Sequence, residues 1–361
     1  MLLPSLRAPE GTSLLKLMVQ SLKIAAILVL AAVIVVTTQR TLARYLEESN
    51  ANVGQPVTFV VEPDESVDSI AARLHEEGLI RSPTYFKLRV RLSNADTRIQ
   101  AGRFVLYTGM SVNQIIQTLT TSEPIEVVQV RFQEGWRLEQ YAEQLVAVGL
   151  ISSPEEFINA AQGESWRAAY DFLRDLPPGA SLEGYLFPDT YEFRVDTTPE
   201  EIIRTMLDNF DRRVPPELRA RAAERGLNLH QVLTIASIVE REAVIPEERP
   251  IIASVFYNRL RQNMPLQADP TVQYFMGQPG NWWPEITQED IQRQHVYNTY
   301  QHTGYPPGPI CNPSLASIEA AINPADTNYL YFVTRGDGSG GHVFAVTYEE
   351  HLRNINEQHG G

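Results

Sequence analysis

One glutamate in this chain stands among small apolar neighbours on what reads as a core helix. Leu229 to Ala243, LHQVLTIASIVEREA, has helical spacing, with Asn228 as the cap and Gln231 completing a capping box. On that helix Glu240 shares a face with Leu233, Ala236 and Ser237. Burial disfavours a charged carboxylate, so a carboxyl group in such company is of the type that can carry a proton at neutral pH, as a general acid must. Glu242 has an equally apolar set, Ile235, Ile238 and Val239, and lies about 200° round the helix from Glu240. Spacing alone does not choose between them, and it favours the plainer reading that Glu240-Arg241-Glu242 is the solvated end of a core helix.

Other familiar chemistries fail on spacing. There is no His-Glu-x-x-His, and the seven histidines are scattered, which argues against zinc. Ser339 lies in Gly-Asp-Gly-Ser-Gly, not in a nucleophile elbow, and the glycines lack the lysine of a phosphate loop. Cys311, the one cysteine, sits among prolines as a packed thiol would, and it rules out an intrachain disulfide. What remains is an acid amid aromatics (Tyr274, Trp282, Trp283, Tyr297, Tyr300, Tyr305) and amides (Asn258, Gln267, Asn298, Asn312). Flat apolar faces with polar edges suit a sugar chain; core and loop packing explains them equally well.

The elements that must position these groups divide the chain. At 361 residues and 43% hydrophobic content it holds more than one unit. Its net charge of −14, with no dense basic tract, argues against nucleic acid as a partner. Ile24 to Val36 is an unbroken apolar run, extended by Leu22 and by Thr37-Thr38. No small-x-small cleavage site follows it before Arg40, so an uncleaved membrane anchor is expected over a signal peptide. Arg7, Lys16 and Lys23 place the N-terminus in the cytoplasm and the bulk of the chain outside the plasma membrane. The expected division is a tail at 1–21, an anchor at 22–38, an irregular stalk at 39–56, a strand–helix module at 57–122 and a catalytic region at 123–361, with its core at about 181–350.

Two echoes run through the first half. Ala71, Leu74, Gly78-Leu79-Ile80, Ser82-Pro83 and Phe86 return 71 residues later as Ala142, Leu145, Gly149-Leu150-Ile151, Ser153-Pro154 and Phe157. Tyr107-TGMSVNQII returns at an offset of 87 as Arg194-VDTTPEEII. Duplicated strand–helix modules are expected, not a solenoid. Residues 57–122 loosely resemble the LysM-type fold that holds cell-wall glycan. Further on, 197–225 reads as helix broken at Pro215-Pro216, 251–261 as helix, and 264–274 as a loop with a turn. Residues 304–313 read as irregular, 314–322 as helix, and 329–334 with 342–347 as a hairpin. The fold class is α+β: a transmembrane helix, LysM-like modules and a mixed α/β catalytic domain.

The ordered motifs LEGYLFPDTY (182–191), ASIVEREA (236–243), SVFYNRL (254–260), MPLQADPTVQY (264–274), YNTY (297–300), GYPPGPICNP (304–313), AAINPA (320–325) and YLYFV (329–333) resemble the YceG-like, endolytic murein transglycosylase family over about residues 57–350. The resemblance implies a membrane-anchored lyase that cuts peptidoglycan strands internally between N-acetylmuramic acid and N-acetylglucosamine, leaving a 1,6-anhydro end without metal or organic cofactor. It selects Glu240, the glutamate of the ASIVE motif, over Glu242. It implies glycan strands, the lipid bilayer and peptidoglycan synthases as partners. Glu183 and Asp189 are candidate supporting carboxylates, with Asn258, Gln267, Asp269, Tyr274, Tyr297, Asn298, Tyr300 and Asn312 as candidate substrate contacts. Ser314 stands where the family usually has glycine, and extra glycines before His342 leave that histidine without an assigned role. The alternatives are a wall-binding scaffold for synthases and a water-using murein hydrolase; the mass of the product separates all three.

Overall fold

The computed structural model describes residues 12–47 and 54–359, so the first half of the expected tail and residues 48–53 of the expected stalk lie outside the described residues. The chain forms two compact units, 1–126 and 127–361.

The first unit opens with α1 (Thr12–Glu47). Its Leu22, Ile27, Leu28 and Val29 are more than 60% exposed, and the helix is long and apolar enough to cross a membrane. The stalk was expected to be irregular from residue 39, but the helix continues through Leu42-Ala43-Arg44-Tyr45-Leu46-Glu47. These residues, after Thr41, are mostly good helix formers, and no Gly or Pro interrupts them. The helix end is fastened within its unit: Glu47 accepts hydrogen bonds from the Tyr85 hydroxyl and the Asn113 amide, both at 2.9 Å, and Arg81 lies over the Tyr45 ring.

Next come β1 (Pro56–Val61), α2 (Val67–Glu76), α3 (Pro83–Leu92), β2 (Gly102–Tyr107) and α4 (Val112–Thr121), with β1 and β2 antiparallel. Alternation in β1 turns Phe59 and Val61 inward, against Ile70, Leu74, Phe86, Phe104 and Leu119. The strand–helix module expected over 57–122 is present as strand–helix–helix–strand, followed by α4.

The second unit begins with the same order: β3 (Val127–Arg131), α5 (Leu138–Ala147), α6 (Pro154–Ala160), β4 (Thr190–Arg194) and α7 (Pro199–Arg213), with β3 and β4 antiparallel. The echoes in the sequence are therefore a duplicated β-α-α-β-α unit. Gly78 and Gly149 leave their helices at φ +73° and +77°, and Ser82-Pro83 and Ser153-Pro154 open the next ones. Each copy turns out of its first strand through a left-handed residue, Asp64 at φ +58° and Gly135 at φ +75°. Ser111 and Thr198 cap the last helix of each copy with a capping box. The offset grows from 71 to 87 between α6 and β4, where the second copy is lengthened by residues that include the segment 181–189.

Then follow α8 (Pro216–Glu224), α9 (Leu229–Glu242), α10 (Arg249–Arg261), α11 (Asp269–Met276), α12 (Leu315–Ile322), β5 (Tyr331–Thr334), β6 (His342–Ala345) and α13 (Tyr348–His359). The Asn228/Gln231 capping box starts α9, and Val232, Leu233, Ile235, Ala236, Ile238 and Val239 are all fully buried. Residues 264–274 were expected as a loop with a turn, but the chain is helical from Asp269 to Met276. Pro270 sits in the first turn, where its missing N–H costs nothing. β5 and β6 form the expected hairpin, and α13 follows it.

Candidate active site

The site is built where the second β-α-α-β-α copy meets the end of α9. Arg131 and Thr190 are register partners at the ends of β3 and β4, and the Phe132 amide extends the pairing to the Asp189 carbonyl at 3.0 Å. Beyond them the chain turns through Gln133-Glu134-Gly135. Arg131, Phe132, Gln133, Glu134, Pro188, Asp189, Thr190 and Glu240 line an open cleft of about 560 Å³. Glu240 lines this cleft. Glu242 does not: it is half-buried on the far side of α9, where burial, followed by the Asp269 charge, pushes it up to about 8.

Glu240 is held by one oxygen. Its Oε2 accepts from the Ser314 amide at 3.0 Å and the Ser314 hydroxyl at 2.5 Å, while no hydrogen bond from the described residues reaches Oε1. Ser314 is also the N-cap of α12, its Oγ accepting from the Ser317 amide at 3.3 Å. A carboxylate at a helix N-terminus is favoured by the unsatisfied N–H groups there. The glutamate is therefore fixed at one edge and free at the other.

Asn312 places Ser314. Its backbone amide donates to the Trp136 carbonyl at 2.8 Å, and its carbonyl accepts from Gly135 at 2.9 Å. Its Oδ1 accepts from Gly184 and Leu186 at 2.9 and 3.2 Å, and its Nδ2 donates to Glu183 Oε1 at 3.0 Å. One buried amide thus ties the turn at Gly135 and the segment 183–186 to the loop that ends in Ser314. Ser237, one turn before Glu240 and fully buried, pins the same loop by accepting from the Ile310 amide at 3.0 Å.

Asp189 stands across the cleft. Burial raises its carboxyl, but the Thr190 amide, Asn209 and Arg213 outweigh this and hold it below the ordinary range. Glu134, which the sequence reading passed over, is raised by burial and then by the charge of Glu240. A glutamate directly before a left-handed glycine was the available signal; its meeting with a residue more than a hundred positions away was not.

The remaining candidates are placed elsewhere. Glu183 is buried behind the cleft, accepting from the Leu138 amide at 3.1 Å, and burial followed by the Glu139 charge pushes it up to about 8. It also borders a second recess of about 400 Å³ with Tyr297 and His230. Asn258 donates to the Thr327 and Tyr329 carbonyls, and Asn298 to those of Ile291 and Arg293. Gln267, at φ +52°, accepts from Arg259, and Tyr300 donates to Asp269. Tyr274 lies 4.8 Å from Tyr297 and under the Arg137 guanidinium. Of the polar residues read from the sequence, Asp189 and Glu240 share the cleft. His342 is buried and paired with Glu248 at 2.7 Å, and Cys311 is buried with its thiol raised by that burial. Among the described residues no group of three His, Cys, Asp or Glu side chains is placed to hold a metal ion.

Comparison with known proteins agrees with this architecture. The model of the YceG-like family matches residues 59–357. A Bacillus subtilis protein called an endolytic murein transglycosylase is 36% identical over 295 residues, covering 79% of this chain and 80% of that protein. One of the same name from Streptococcus pneumoniae D39 is 34% identical over 333 residues, 85% of this chain but 59% of the longer pneumococcal protein. The crystal structure of a yceG-like protein from Listeria monocytogenes aligns with a TM-score of 0.56 at 31% identity, covering 82% of this chain and 98% of that one.

Proposed function

The chain belongs to the YceG-like family, and on that premise we propose that it is a membrane-anchored lyase that cuts peptidoglycan strands internally, with Glu240 as the acid and base. The observation that carries this is the one-sided hold on the carboxyl group: Ser314 occupies Oε2, and Oε1 is left for substrate. In the first step Glu240 gives its proton to the glycosidic oxygen as the bond from the muramoyl C1 breaks. In the second, the carboxylate takes the proton of the C6 hydroxyl as O6 closes on C1. One carboxyl group serves both transfers, the product is a 1,6-anhydro end, and no water is consumed. α1 supplies the anchor, with its N-terminus in the cytoplasm and the catalytic unit outside. The first unit acts as a LysM-like glycan holder, and peptidoglycan synthases are the natural neighbours of an enzyme that ends growing strands.

A second reading, hydrolysis by water, is favoured by one observation: Glu134 and Asp189 share the cleft with Glu240, and two carboxyl groups are the usual equipment of a glycoside hydrolase. Digestion of purified sacculi separates the two. The lyase releases muropeptides one water lighter than a hydrolase does. Glu240→Gln keeps the side-chain volume but cannot carry the proton, so turnover should fall by about 10²–10⁴-fold or more. Glu242→Gln should stay within a few-fold of the parent, roughly 1 kcal/mol or less. Near-parental release of anhydro products by Glu240→Gln would remove Glu240 from the mechanism.

A further inference from the structure

Arg241 is an anomaly among the enclosed arginines of the second unit. Arg137 and Arg259 are 5% and 7% exposed, and each guanidinium is met by acceptors: Tyr274 O and Glu139 for the first, Leu330 O, Leu266 O and Gln267 for the second. Arg241 is half-buried, and among the described residues no hydrogen bond or ion pair reaches its side chain. Its Nε is fully enclosed without a partner, and burial lowers its pKa. A desolvated cation without an acceptor is costly, which makes such a group beside a cleft a candidate for binding a ligand.

Its position says what it faces. The guanidinium lies 4.0 Å above the Trp283 ring, so one face is covered and its edge carries the donors. A methyl placed on Gly135 would stand 3.5 Å from Arg241 Nη1 and 3.6 Å from Glu240 Cγ. Arg241 and Glu240 therefore meet over the bare backbone of Gly135, beside the cleft wall. The cleft lining carries three carboxyl groups, Glu134, Asp189 and Glu240, and one cation, Arg131; Arg241 adds a second cation beside the Glu240 end.

We propose that Arg241, stacked on Trp283 beside Gly135, is the subsite for the free lactyl carboxylate of a muramoyl residue that carries no peptide stem, next to the bond that is cut. The inference rests on the reading that Glu240 faces a muramoyl glycosidic bond. With Nε enclosed, the Nη1–Nη2 end of the planar guanidinium is the part that can take a carboxylate by two parallel hydrogen bonds, which an ammonium or a neutral amide cannot copy. Binding there sets the muramoyl ring beside Glu240, so Arg241 is a positioning residue and takes no proton in the reaction.

The test uses peptide-free glycan strands whose lactyl carboxylates are either left free or converted to methylamides. Equilibrium binding is measured on the full chain carrying Glu240→Gln, so that the strands stay intact. Free-carboxylate strands should bind about tenfold or more tightly than methylamide strands, as loss of a charge-assisted pair implies. Adding Arg241→Gln should abolish the preference, and Arg241→Lys should keep part of it. Equal binding of the two strands by the chain with Arg241 intact overturns the proposal, without need of any further variant. So does a preference that survives Arg241→Gln. Because binding is read without cleavage, a water-using mechanism would change the products and leave this result standing.

Discussion

Ser314 and Glu134 flank the carboxyl group proposed as acid and base, the first as the donor to Glu240 Oε2 and the second as a further acid in the same cleft. Ser314→Gly removes the hydroxyl donor and, since glycine is a tolerable N-cap, should cost α12 only a few tenths of a kcal/mol. The backbone amide at 314 still holds Oε2, so turnover on purified sacculi should stay within about tenfold of the parent, as loss of one charge-assisted bond of about 1.5 kcal/mol implies. A loss as deep as that of Glu240→Gln would mean that the Ser314 hydroxyl itself takes part in the chemistry.

At the scale of elements, three segments converge on one buried amide. Asn312→Ala breaks its bonds to Gly184, Leu186 and Glu183 and leaves buried groups without partners. A loss of about 2–4 kcal/mol is expected, seen as a fall of several degrees in the melting temperature. Glu183 adds a pH dependence. Its ordinary value of 4.5 rises to about 8 in the fold, chiefly by burial, so the folded state keeps a proton that the unfolded state releases. That stability is fully present below the ordinary value and is lost as pH climbs to about 8. Thermal unfolding should show a melting temperature falling from pH 5 to pH 8, and a smaller fall in Glu183→Gln; Glu242, also pushed up to about 8, adds to it in the same direction. Much of this level was legible beforehand. The capping box at Asn228, the break at Pro215-Pro216 and the hairpin at 336–341 are local signals, and all three are present. The helix at Asp269 was hidden because its proline reads as a breaker unless its place in the first turn is known. Arg241, Trp283 and Gly135 were unreadable as a group, since only folding across more than a hundred residues brings them together. Composition made Asn258 and Asn298 look like sugar-binding amides; the fold gives their donors to backbone carbonyls.

The whole molecule joins an apolar helix to two units, and each end of that plan is testable. Carbonate-washed membranes should retain the full-length protein through α1; a released species beginning after residue 36 would mean cleavage instead. The first unit has its own core, so residues 54–126 should fold alone and pellet with purified sacculi. If that segment stays in the supernatant over a range of salt, it is a spacer or a protein-docking unit. The duplication has a consequence of its own: the chain carries an internal control. Positions alike in both copies, such as Ala71 and Ala142, Leu74 and Leu145, or Phe86 and Phe157, are buried in each, and they are what the scaffold needs in order to exist. Position 134 is one at which the copies part. The first copy has Pro63 where the second has Glu134, so the left-handed turn forms without an acid at that position. Glu134 can therefore be discounted as architecture: deleting its charge should leave the melting temperature almost unmoved, and whatever it changes is chemistry.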